Sequence, residues 1–205
     1  MYTPTLEQFK TLAIKSNTIP VYREISADLE TPVSAYLKIA PEPYSFLLES
    51  VEGGERPARY SFIGTEPYKM ICTGPGQPQG DVDPLKLIRQ EMEKISLVTI
   101  PDLPRFHGGA VGYLAYEAMH HFEDVPSPRV DTLKLPEAAF MFADTLLIFD
   151  HLKHSIKVLS HVHLSEKDTE TAYSEAVERI EALVERLQRP LDPARTSSGG
   201  PPLTG

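Results

Sequence analysis

The stretch Tyr44-Ser45-Phe46-Leu47-Leu48-Glu49-Ser50-Val51-Glu52-Gly53-Gly54-Glu55-Arg56-Pro57-Ala58-Arg59-Tyr60-Ser61-Phe62-Ile63-Gly64 decides the fold. Two apolar β-type runs, residues 45–48 and 60–63, flank a polar connection in which Gly53-Gly54 and Pro57 are strong turn punctuation. The stretch therefore reads as a β-hairpin with an irregular loop. Its polar residues sit in unusual places: Glu49 and Ser50 close the first run, Arg59 opens the second and Ser61 interrupts it. A carboxylate, a hydroxyl and a guanidinium can then gather at one end of the pair, ready to receive an ammonium, a carboxylate or one another. The plainer alternative is a rim ion pair between Glu49 and Arg59 with both serines facing water, an arrangement that contributes little. At this level both readings stand.

Outward from the hairpin, short strands mix with helices. Thr3-Pro4 has the form of a helix start, threonine capping and proline in the first turn, and Leu6, Phe9, Leu12 and Ala13 give one apolar face to a helix that ends near Asn17. Residues 19–25 form a strand with Val21, Arg23 and Ile25 on one face and Tyr22 and Glu24 on the other. Thr31-Pro32 starts a second helix, with Ala35, Tyr36 and Ile39 buried and Pro41 and Pro43 as its stop. Residues 68–73 read as a strand and 74–80 as a loop. Asp83-Pro84 opens a third helix whose Leu85, Ile88, Met92 and Ile95 predict a packed face.

The clearest hairpin spans 139–150 and 155–163. Its first arm lacks alternation, which predicts a central strand covered on both faces, while Ile156, Val158 and Val162 alternate in the second. Residues 165–168 then cap a long helix with a stripe of Ala172, Ala176, Val177, Ile180, Leu183, Val184 and Leu187. A first domain therefore occupies 1–190, and the Pro/Gly/Ser tract 191–205 reads as a disordered linker, because it cannot bury enough apolar surface to order itself. Hairpins interleaved with helices, rather than a steady strand–helix alternation, predict an α+β fold: a mostly antiparallel sheet with flanking helices.

Composition narrows the function. With 205 residues, 41% of them apolar, the chain can bury a real core. A formal charge of −9 with scattered lysines and arginines disfavours nucleic acid and anionic membrane as partners. The sequence has no apolar run of spanning length and no signal-peptide order at its start, so a cytoplasmic location is expected. The lone cysteine, Cys72, sits in an apolar run and reads as a structural thiol.

Most catalytic chemistry finds no purchase. Gly108, Gly109 and Gly112 match neither a dinucleotide fingerprint nor a phosphate loop, and read as points of close packing. His161 and His163 share a strand face but make only half a metal site. His120 and His121 lie near Glu117, Glu123 and Asp124, but adjacent histidines are expected to diverge, so no metal site is predicted. Glu123-Asp124 sits in a polar loop that would raise no pKa for acid catalysis.

The motifs gain specificity in combination. Residues Leu47-Leu48-Glu49-Ser50, Arg59-Tyr60-Ser61-Phe62-Ile63-Gly64, Phe106-x-Gly108-Gly109-x-Val111-Gly112-Tyr113-x-x-Tyr116-Glu117, Asp131-x-x-x-x-Pro136 and Asp144-Thr145-Leu146-Leu147-Ile148-Phe149-Asp150-His151 stand in one order. Together they resemble the N-terminal part of anthranilate synthase component I, over roughly residues 1–190.

The resemblance implies an enzyme of tryptophan biosynthesis that turns chorismate and ammonia into anthranilate and pyruvate with Mg²⁺, the ammonia coming from glutamine through a partner amidotransferase subunit. It also implies that the catalytic and Mg²⁺-binding residues lie in a C-terminal chorismate-binding domain absent from this chain. That domain would complete a two-sheet sandwich of which this chain is half, and its absence would leave an apolar face exposed. The part present here would sense feedback-inhibiting L-tryptophan through Leu48, Glu49, Ser50, Arg59, Tyr60 and Ser61. Glu49 or backbone carbonyls would take the ammonium, Ser50 a directional hydrogen bond and the apolar walls the indole, with Arg59 either contributing directly or holding Glu49. The related aminodeoxychorismate synthase component I of the folate branch, and a free-standing amino-acid-binding module, remain as alternatives.

Overall fold

The computed structural model describes residues 1–40, 44–49, 59–125, 134–164 and 168–192. Among them, the strands form two antiparallel sheets. The larger runs in the order β1 (Tyr2–Thr3), β2 (Thr18–Ser26), β9 (Ser155–His163), β8 (Thr145–Asp150), β4 (Tyr60–Thr65) and β3 (Ser45–Glu49). The smaller runs β5 (Lys69–Thr73), β7 (Ala138–Ala143), β6 (Gly109–Leu114). Helices α1 (Leu6–Ala13), α2 (Pro32–Ile39) and α4 (Thr169–Gln188) pack on one face of the larger sheet, and α3 (Pro84–Met92) lies beside β5. This is the expected α+β fold with an antiparallel sheet and flanking helices.

Strand alternation sorts the apolar side chains into two cores. On the helix side, Ile19, Val21, Ile63, Leu147, Phe149, Ile156, Val158 and Val162 meet Phe9, Ala35, Ile39 and the α4 stripe from Ala172 to Leu187. On the other side, Tyr22, Phe46, Leu146, Ile148 and Leu159 pack with Ala143, Val111 and Met141 of the smaller sheet and with Phe62 and Phe106. All of β8 is buried, as its unbroken apolar run requires of a strand with neighbours on both sides and layers above and below. Across the top, Arg23 donates to both carboxylate oxygens of Glu181 at 2.7 Å and fastens β2 to α4.

Several expectations are corrected. Residues 139–150 are not one strand: β7 pairs with β5 and β6, β8 pairs with β9 and β4, and the chain changes sheet at Asp144, whose carbonyl accepts from His161 N–H at 2.7 Å. The first helix is capped by Thr5, not Thr3. Thr5 and Gln8 form a reciprocal capping box, while Thr3 pairs with Tyr22 in the sheet, and the helix stops at Ala13 rather than near Asn17. The second helix starts as expected at Pro32, with Thr31 and Ser34 as its box. Helix α3 begins at the Asp83 cap but does not close its apolar face: Leu85 and Met92 stay more than 40% exposed, and the Lys69–Glu91 ion pair joins the helix to β5. Asp168 caps α4; Ser165 and the tract 193–205 lie outside the described residues.

Candidate functional site on the β3–β4 pair

The register of β3 on β4 sets Glu49 opposite Ser61 and Leu48 opposite Phe62. Glu49 and Ser61 therefore share the helix-side face with Leu47 and Ile63, while Leu48 and Tyr60 point to the other face with Phe62. Leu48 and Glu49 are exposed, Tyr60 is partly buried and Ser61 is buried. Ser50 lies outside the described residues.

Among the described residues, the polar groups of the pair do not gather on one another. Arg59 holds Asp150 at the end of β8 with two hydrogen bonds, Nη2 to Oδ2 at 2.9 Å and Nε to Oδ1 at 3.3 Å, and does not reach for Glu49 as the hairpin alone suggested. Its guanidinium also lies over the Tyr60 ring, 4.8 Å from the centroid. Ser61 Oγ is 2.7 Å from His151 Nε2, and His151 N–H donates to the Arg59 carbonyl at 2.9 Å. Asp150 Oδ1 further accepts from the backbone N–H groups of Leu152 and Lys153, closing the turn into β9.

Burial alone would raise the Asp150 pKa. The Arg59 hydrogen bonds and these two N–H groups outweigh it, and hold the carboxyl below the ordinary carboxylate range. Asp150 and His151 were missed as partners because they lie some ninety residues away; the signal available was that both end an apolar run, where strand ends gather polar groups.

A second polar cluster lies beneath the start of β6, in a cleft of about 80 Å³ lined in part by Tyr68, His107, Asp144, His161 and His163. His107 Nδ1 stands 3.1 Å from His161 Nε2. Burial, then the neighbouring His107 and His163, push His161 down to about 3, so it stays neutral and is a weak base. Burial lowers His107 and His163 and raises Asp144.

Gly108 and Gly112 pack closely, as expected; Gly109 does not, since a Cβ there would meet nothing within 4 Å, and it is its φ of +119° that suits glycine. A Cβ on Gly108 would lie 2.5 Å from His161 Cε1, and one on Gly112 would lie 1.9 Å from the Ala139 carbonyl oxygen. His120 and His121, by contrast, do not diverge. They end a short 3₁₀ helix, Tyr116–His121, and both rings fold to the side of the loop that carries Asp81, with centroids 3.9 Å apart.

The family described as chorismate binding enzyme matches residues 43–202. Anthranilate synthase component 1 of Acetivibrio thermocellus is 41% identical over 193 residues, covering 89% of this chain and 39% of that protein. A probable anthranilate synthase component 1 of Schizosaccharomyces pombe is 42% identical over 192 residues, covering 91% of this chain and 38% of its own length. The crystal structure of anthranilate synthase component I from Streptococcus pneumoniae aligns with a TM-score of 0.54 at 25% identity, over 83% of this chain and 38% of that one. The chain thus spans about 39% of the length of such relatives. It belongs to the chorismate binding enzyme family, alongside proteins named anthranilate synthase component I.

Proposed function

We propose that this chain is the N-terminal, tryptophan-sensing part of an anthranilate synthase component I. The observation that carries the reading is the 41% identity to a protein of that name across 89% of the chain. The whole enzyme would convert chorismate and ammonia to anthranilate and pyruvate, with the ammonia supplied from glutamine by a partner amidotransferase subunit. Catalysis would belong to polypeptide beyond these residues, reached through the 191–205 tract. The Mg²⁺ of that reaction would lie there too. Among the described residues the convergent ligand cluster is half imidazole, and Mg²⁺ prefers an all-oxygen shell. No helix among the described residues is long and apolar enough to cross a membrane.

The end of the β3–β4 pair supplies what an amino acid needs. Glu49 offers a carboxylate to the ammonium and Ser50 a hydroxyl, and the ligand would reach round the end of the strands to the apolar surface of Leu48 and Tyr60 on the opposite face. Arg59–Asp150 and Ser61–His151 hold the ends of β4 and β8 together on the β4 side of the site. Inhibition is then a coupling between this site and the catalytic part, each ligand favouring a different arrangement of the two. In the full-length enzyme, Ser50→Ala should weaken inhibition by L-tryptophan by roughly 5- to 100-fold, the loss of one buried hydrogen bond, with turnover near normal. Collapse of turnover, with inhibition by tryptophan intact in what remains, would overturn the assignment.

A further inference from the structure

The geometry points to a second ligand site, unrelated to the hairpin: we propose that Asp81, His120, His121 and Glu137 bind one divalent transition-metal ion of the Zn²⁺ type. Three segments distant in sequence bring these residues together. Asp81 ends the loop after β5, the two histidines end the 3₁₀ helix, and Glu137 precedes β7 with its N–H on the Thr73 carbonyl at 2.9 Å and its carbonyl accepting from Ala115 N–H at 2.7 Å. One ligand atom from each residue lies within 4.8 Å of all the others. His120 Nε2 and His121 Nε2 stand 3.2 and 3.5 Å from Asp81 Oδ1, and His121 Nε2 stands 3.7 Å from Glu137 Oε2. Metal–ligand bonds near 2.0–2.1 Å in a tetrahedron require edges of about 3.3 Å; the separations of 3.2, 3.5 and 3.7 Å bracket that value, and a small closing movement of the four groups, none more than 4.8 Å from another, brings them onto one ion. For direct hydrogen bonds, the longest of these separations is too great.

Two observations argue that the cluster is more than a group of ion pairs. His121 Nε2 and Glu137 Oε2 are buried and have no hydrogen-bond partner, an expensive state that a cation between them relieves. His120 Nδ1 lies 2.6 Å from the Glu117 carbonyl, so it donates there, and the neutral ring turns its Nε2 lone pair toward another acceptor, Asp81 Oδ1. Two acceptors face each other at 3.2 Å only when a proton or a metal lies between them. A backbone carbonyl fixing the far ring nitrogen is also how proteins orient metal-binding histidines.

Gly74 makes room for the fourth ligand: its φ is +115°, and a Cβ there would come within 3.0 Å of Glu137 Cγ. Asp81 is exposed, which gives an ion a way in. Two imidazoles with two carboxylates favour Zn²⁺ or Co²⁺ over Mg²⁺ and Ca²⁺.

The test uses the metal-stripped chain with Zn²⁺ alone, and then Co²⁺ as a spectroscopic probe. The expected result is one Zn²⁺ retained per chain after dialysis, a rise in unfolding temperature on adding Zn²⁺, and a visible Co²⁺ band of four-coordinate intensity. His121→Asn and Glu137→Gln should abolish all three. Asp81→Asn, at an exposed loop position that does not endanger folding, should weaken Zn²⁺ binding at least tenfold. His154→Asn, in an exposed turn, should change nothing. Failure to retain Zn²⁺ would overturn the proposal in favour of a protonated His120 paired with Asp81. Retention that Asp81→Asn leaves intact, or that His154→Asn removes, would overturn it in favour of binding elsewhere.

Discussion

Asp150 is only 2% exposed, whereas the Arg59 side chain that pairs with it is 47% exposed. The worth of this contact therefore comes less from attraction between two charges, one of them in water, than from a buried carboxylate whose oxygens meet a guanidinium and two turn N–H groups. Asp150→Ala should cost about 1–3 kcal/mol at neutral pH by urea denaturation, since it frees the turn donors and the Arg59 fork together. The sign of the pH dependence follows from the lowered pKa. The folded state holds the carboxylate more tightly than the unfolded chain, so the stabilisation is present above the unfolded value of about 3.9 and is lost as pH falls through the folded one. The gap between wild type and variant should therefore narrow below about pH 4. A gap that stays constant from pH 7 to pH 3.5 would show that packing, not the ionised carboxyl, carries the effect. Sequence reading placed Arg59 at the right strand end but gave it the wrong acid, because a hairpin exposes its local neighbour and hides the third strand that lies beside it.

Strands and helices were legible wherever one face alone decides the pattern. The α4 stripe, the alternation in β2 and the Thr31 and Asp83 caps all came out of the sequence, because each depends on residues a few positions apart. The split between β7 and β8 did not. The apolar run continues straight through the change of sheet, and Asp144 is the one polar residue to mark it before Thr145. Periodicity reports which side chains are buried and not which sheet buries them. Helix α3 misled in the opposite way, since its regular spacing promised a packed face that this chain leaves half open.

β6 is an edge strand with Tyr113 and Leu114 exposed, and among the described strands it hydrogen-bonds to β7. Gly112 lets the two backbones meet, and an added methyl would strike the Ala139 carbonyl. Gly112→Ala should therefore cost about 1–3 kcal/mol or more, as overpacking does. By hydrogen exchange, amides of 109–114 should lose protection while those of β8 and β9 keep theirs. Equal loss in both sheets would mean that the smaller sheet is not a separate unit of opening.

Taken as one cooperative unit, the molecule carries an acid-sensitive element that its net charge of −9 does not suggest. His107 and His161 are held neutral by burial in the cleft between the two sheets, while His163, lowered as well, keeps its side chain 37% exposed; none of the three was legible as such, because a histidine two residues from another on a strand gives no sign of what lies above it. Unfolding brings the buried His107 and His161 into water, where each binds a proton near pH 6.5. Between that value and about 3, the folded value for His161, the unfolded state holds more protons, so stability must fall as pH falls. Asp144, raised by burial, and His120, raised by the Glu117 carbonyl and Asp81, act in the opposite sense and reduce the slope. His161 alone sets a slope approaching about 1.4 kcal/mol per pH unit across its window.

Urea denaturation at intervals from pH 7 to pH 5 should show the unfolding free energy decreasing steadily, well above the range in which the paired carboxylates titrate. His161→Gln should flatten that slope by about one proton whatever it does to stability at pH 7, because the slope counts protons and not contacts. If wild type is equally stable at pH 7 and pH 5, these histidines are hydrated in solution, and the smaller sheet does not cover them as described.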